Sequence, residues 1–183
     1  MANQTSKKPT NRKKPIDPII YFGGEITNSL ILESQKHLTT LINKGYKDII
    51  LQINSGGGNC DDALAIYDIF ESSKAHFTTR VFGKANSMAV ILMLLGTERL
   101  ISKHSRILLH EMGTTLGKDS RWSVTELKQS YDSLSYLNEQ YADIIFANLK
   151  GKILREEILG MMKKETYLTP NEALELGFVT GII

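Results

Sequence analysis

Cysteine is nearly missing from this 183-residue chain: Cys60 stands alone, so no disulfide can close within the chain and no thiolate metal cluster can be assembled from it. Long apolar runs are missing too. The longest, Met88 to Leu95, falls well short of the roughly 20 residues a helix needs to cross a bilayer, and the basic start of the chain is not followed by the apolar stretch of a signal peptide. These absences lead to the expectation of a cytoplasmic protein without a membrane partner. The four histidines, His37, His76, His104 and His110, lack the paired spacing of a zinc-binding helix, which predicts no metal. Phosphate-binding signatures are absent as well. The run Gly56-Gly57-Gly58 has neither a Gly-Lys-Ser/Thr ending nor G-x-G-x-x-G spacing, and Asp61 and Asp62 just behind it would repel an anion. No cofactor is expected.

What is present is an ordinary globular composition, 42% hydrophobic and 23% charged, at the usual size of one domain. The net charge of +2 conceals an asymmetry. Lys7, Lys8, Arg12, Lys13 and Lys14 all precede the first acidic residue, Asp17, and without those five the remainder carries −3. Residues 1–16 therefore read as a basic, disordered arm and 17–183 as the folded domain. The arm is read as a solvated tail and not as a nucleic-acid-binding device.

Along the domain, Ile19 to Phe22 predicts a short buried strand ended by Gly23-Gly24. Leu30, Ile31, Leu38, Leu41 and Ile42 then recur at helical spacing from Asn28 to Lys44, with Gly45 placed to cap the helix. Strand signals return over Asp48 to Ile53. The three glycines lead into a helix with Ala63, Leu64, Ile66, Tyr67 and Phe70 on one side, and Thr78 to Phe82 reads as the next strand. This alternation argues for a mostly parallel sheet covered by helices. Ser87 to Leu95, apolar nearly all round, predicts a buried helix, and Arg106 to Leu109 a buried strand ending at His110. Ser123-Val124-Thr125-Glu126 has the form of a capping box and opens a long helix through Leu127, Tyr131, Leu134, Leu137, Tyr141 and Ile145. That helix is longer than a small domain needs to cover its own sheet, which suggests a partner subunit. A second box, Thr169-Pro170-Asn171-Glu172, starts a short helix that Gly177 stops before a last strand around Phe178 to Thr180.

Ligands of open parallel sheets collect at the carboxyl ends of strands, and three such ends are polar or glycine-rich here: Asn54 to Gly58, Gly83 to Ser87, and His110. Singly, a serine opening a helix is an ordinary cap and a histidine ending a strand an ordinary structural residue. Together they supply a nucleophile, a base, and glycines able to bring backbone N–H groups close to a substrate carbonyl.

The segments Ile53-Asn54-Ser55-Gly56-Gly57-Gly58, Ala65-Ile66-Tyr67-Asp68, Gly83-Lys84-Ala85-Asn86-Ser87-Met88-Ala89 and Arg106-Ile107-Leu108-Leu109-His110 resemble, in order and approximate spacing, the successive motifs of the Clp protease proteolytic subunit. The resemblance runs from about Ile19 to the C-terminus. It implies an α/β, Clp-like (crotonase-type) spiral of strand-helix units with a protruding handle helix, matched by the long helix after Ser123. It implies Ser87 as nucleophile, His110 as general base, and the backbone N–H groups of Gly57 and Met88 as oxyanion hole. Glu165 falls where the family has its orienting aspartate. The implied activity is that of a serine endopeptidase cutting extended or unfolded polypeptides inside a self-assembled homo-oligomeric barrel, with an ATPase unfoldase as possible partner. The alternatives are a phage-type head-maturation protease, a non-catalytic ring subunit and, more remotely, a crotonase-type acyl-CoA enzyme. The chain departs from the pattern at Gly56, where proline is usual, at Lys84 in place of glutamine, and at Glu111-Met112 in place of Gln-Pro. The segment before Ile19 also lacks the family's N-terminal helix and axial-loop sequence.

Overall fold

The structure is a computed structural model and describes residues 18–114 and 121–183. The basic arm expected over 1–16 lies outside the described residues. Strand β1 (Ile19–Ile26) pairs in parallel with β2 (Asp48–Gly58), and β2 with β3 (His76–Asn86). Beyond β3 the sheet divides. Its first half pairs with β4 (Glu98–Ile101), which carries β7 (Gly181–Ile182) outside it, and its last three residues pair with β5 (Arg106–Leu109). All these ladders are parallel. A final strand, β6 (Thr166–Leu168), runs antiparallel to β5.

Helices α1 (Asn28–Asn43) and α2 (Cys60–Ser72) connect the first three strands, as the alternating pattern predicts. Asn59 caps α2 by accepting the Asp62 N–H at 3.0 Å. The apolar segment after Ser87 forms α3 (Ala89–Leu94), every residue of which is buried. It is the plug of the core. Both capping boxes form: Ser123 with Glu126 opens α4 (Val124–Leu149), and Thr169 with Glu172 opens α6 (Pro170–Glu175). Between them lies α5 (Arg155–Lys163). Among the described residues no helix is long and apolar enough to cross a membrane.

Three expectations change. Gly23-Gly24 does not end the first strand. β1 continues to Ile26 through a register shift between Gly24 and Glu25, the irregularity that glycine's freedom at φ 79° permits. The last strand is Gly181–Ile182 and not Phe178 to Thr180. The Arg99 guanidinium draws the Gly177 and Phe178 carbonyls onto itself, at 3.0 and 2.8 Å, so these groups are taken from any ladder. Ile42, counted on the buried stripe of α1, is exposed, while Leu38 and Leu41 carry the contact. The short β4 and β6 and the polar α5 gave no periodic signal long enough to read.

The aromatic centre of the core is Phe70 of α2, whose ring centroid stands 5.5 Å from that of Phe22 on β1 and 5.5 Å from that of Phe77 on β3. All three are buried. Phe70→Ala removes contacts to two strands at once and should cost about 3–5 kcal/mol, read as a lowered midpoint in urea unfolding.

Candidate active site

The site is built where β2 and β3 end beside each other. Ser87, the first residue after β3, has φ 53°, a left-handed conformation that costs a residue with a side chain about 1–2 kcal/mol. Three bonds hold it there. Its N–H donates to the Leu108 carbonyl of β5 at 2.8 Å, and its own carbonyl accepts from the Val90 N–H at 2.9 Å and from the Tyr141 hydroxyl at 2.8 Å. The sharp strand-to-helix turn puts a nearly buried serine, 7% exposed, at the amino end of α3. Its hydroxyl has no hydrogen-bond partner among the described residues.

Gly57 explains itself. It has φ 91°, and a Cβ there would fall 2.7 Å from Ser87 Cβ, 2.8 Å from the Asn86 carbonyl oxygen and 3.2 Å from Met88 N. Only a residue without a side chain fits between β2 and the serine turn. Gly57, Ser87 and Met88 are therefore brought together. The Gly57 N–H donates to Ser55 Oγ at 3.1 Å, and the Ser55 hydroxyl donates in turn to the Gly24 carbonyl at 2.6 Å. Ser55 thus ties the glycine loop to β1.

His110 follows β5 directly and is half-buried. The β5–β6 ladder ends with Leu109 opposite Thr166, and His110 and Glu165 each stand one residue beyond that end of it. Glu165 is exposed and has φ 50°; its N–H bonds the Met162 carbonyl at 3.1 Å, so it also makes the left-handed turn that ends α5 and starts β6. Among the described residues no hydrogen bond joins Ser87, His110 and Glu165 to one another, and none joins Lys84 to Ser87. The fold brings Gly57, Ser87 and Met88 together, while His110 follows β5 and Glu165 precedes β6.

Sequence reasoning missed the residues that support this arrangement. Tyr141, read only as part of a helical stripe, latches the Ser87 carbonyl. Asn138, one turn earlier on α4, accepts the Met112 N–H at 2.8 Å, two residues beyond His110. A single face of α4 thus holds both halves of the site. Burial, and secondarily Cys60, push the Tyr141 phenol far above its usual range, which favours the protonated form that donates to Ser87. Asn86 is buried, and among the described residues its side-chain oxygen has no hydrogen-bond partner. Beside the glycines lies a cavity of about 440 Å³ lined by Gly24, Glu25, Gly56, Gly57, Gly58 and Lys84. Among the described residues no three histidine, cysteine or carboxylate side chains gather as a metal site.

The family profile described as Clp protease matches residues 12–183. The chain is 32% identical over 168 residues to the ATP-dependent Clp protease proteolytic subunit 1 of Prochlorococcus marinus, covering 90% of this chain and 83% of that one. It is 32% identical over 167 residues to proteolytic subunit 2 of Tropheryma whipplei, covering 90% and 89%. In three dimensions it is similar to a ClpP1 mutant from Listeria monocytogenes, with a TM-score of 0.80, 21% identity and 91% of each chain covered. That likeness establishes the Clp-like fold.

Two substitutions test the geometry. Tyr141→Phe leaves the Ser87 carbonyl with one donor fewer in a dry site and should cost about 1–2 kcal/mol in chemical denaturation. Gly57→Ala drives a methyl group into the serine turn and should cost more, about 2–4 kcal/mol from overpacking and a disfavoured φ together.

Proposed function

Because the chain belongs to the Clp protease family, we propose that it is a serine endopeptidase in which Ser87 attacks, His110 acts as general base and Glu165 orients the imidazole. The observation that carries this reading is the contact of Gly57 with Ser87, made by a serine held in a left-handed turn. That is how a chain sets a hydroxyl beside backbone N–H groups.

The chemistry follows from these positions. Ser87 Oγ forms a bond to the scissile carbonyl carbon as its proton passes to His110, and the carbonyl π electrons move onto oxygen. The oxyanion accepts from the Met88 and Gly57 N–H groups; Gly57 must first exchange or share its bond to Ser55. Collapse breaks the C–N bond, the amine leaves with the proton from His110, and water repeats the sequence on the acyl-enzyme. Substrates are extended or unfolded polypeptides, the class that membership of the Clp protease family suggests.

The first two turns of α4 support assembly into a homo-oligomeric barrel. Val124, Leu127 and Tyr131 are 84%, 47% and 71% exposed on one helical stripe, an apolar surface that a monomer leaves wet. An ATPase unfoldase would feed such a barrel; a phage-type maturation protease would work without one. A second reading, a non-catalytic ring subunit, is favoured by the exposed Glu165 and by the missing hydrogen bonds between Ser87, His110 and Glu165.

Intact-mass spectrometry after fluorophosphonate treatment separates the two. One adduct on wild type, absent from Ser87→Ala, is expected; no adduct on a protein whose native mass shows an assembled oligomer would leave the non-catalytic subunit standing. Leu127→Glu with Tyr131→Glu should reduce the native mass to smaller species, and an unchanged mass would place the subunit contact elsewhere.

A further inference from the structure

Among the described residues the cavity beside the glycine loop is lined by one cation, Lys84, that the chemistry above does not use. Lys84 is half-buried on β3, three residues before Ser87. A Cβ added at Gly56 would stand 3.4 Å from its Nζ, so the ammonium lies over Gly56, one residue from Gly57. Lys84 pairs in register with Arg106 of β5, which places two like charges side by side on neighbouring strands. Among the described residues ion pairs within 4.0 Å form only around Arg155, so neither cation has a carboxylate partner. Arg106 lies over the Tyr167 ring, 5.9 Å from its centroid, leaving Lys84 to face the cavity. Among the described residues the one acid lining that cavity, Glu25, is exposed and does not reach the ammonium.

We propose that Lys84 is a specificity-determining residue that selects an aspartate or glutamate side chain in the polypeptide, within one or two residues of the bond cut at Ser87. This rests on the peptidase reading. Successive residues of an extended chain advance about 3.3 Å, so a substrate whose carbonyl lies at Gly57 passes an adjacent side chain over Gly56. A carboxylate there gains the partner that Lys84 lacks, in a partly desolvated cleft where a charge pair counts for more than on an open surface. Glu25 sets the opposite sign at the outer wall and tempers the preference.

Quenched fluorescent peptides in which one Glu is walked across the three positions on either side of the cleaved bond, each matched by a Gln peptide, test the assignment. At one position the Glu peptide should show about tenfold higher kcat/KM than its Gln partner, mainly through KM, and less at high salt. That ratio should fall to about one in Lys84→Gln, drop below one in Lys84→Glu and rise in Glu25→Gln. An equal ratio in wild type and Lys84→Gln overturns the assignment. A parallel binding arm, fluorescence anisotropy of the labelled peptides on Ser87→Ala with and without Lys84→Gln, needs no turnover. If no peptide is cut and no fluorophosphonate adduct forms, the peptidase reading fails. Binding then still decides Lys84: a Glu preference lost with the lysine upholds it, and equal binding of Glu and Gln peptides overturns it.

Discussion

The space between Gly57 and the turn at Ser87 is the constraint on which the rest depends. A Cβ at Gly57 would lie 2.7 Å from the serine's own Cβ, so the two strand ends can approach only as far as an absent side chain allows. Beside this one approach stand the left-handed backbone at Ser87, the buried helix α3 and a serine placed next to backbone N–H groups. Such a conformation persists only where its surroundings over-determine it. Here the surroundings are Leu108, Val90 and Tyr141, contributed by a strand, a buried helix and a helix that begins far from the site.

The parts legible in the sequence were those written as local repetition. α1, α2, α4 and β5 declare themselves by period and caps, and the two Ser/Thr-x-x-Glu boxes mark helix starts to the residue. The strands that contain glycine were cut short, because glycine is read as punctuation while a parallel ladder can carry it at a bulge. The place of Phe178 to Thr180 could not be read at all. It depends on Arg99, about eighty residues away, whose three donors find carbonyls in two separate segments.

The same division runs through the site. Ser87, His110, Gly57 and Met88 sit in motifs that chain order displays. Their supports do not. Tyr141 looks like one more apolar position until its hydroxyl meets the Ser87 carbonyl, and Asn138 looks like a solvent residue until its side chain takes the Met112 N–H. Glu165 is the mixed case: the sequence offers it as an orienting acid, while its left-handed backbone serves the end of α5 and the start of β6.

The antiparallel pairing of β6 with β5 has a further meaning for a chain made from its amino end. The two strands are separated in sequence by α4 and α5, so β6 emerges from the ribosome only after both helices have been made. Ser87 and Gly57 can meet while the chain is still short, but the partner strand for β5 cannot. Until β6 arrives, the edge of β5 away from β3 is open. The edge of β5 is therefore closed by a strand that synthesis supplies only after α4 and α5.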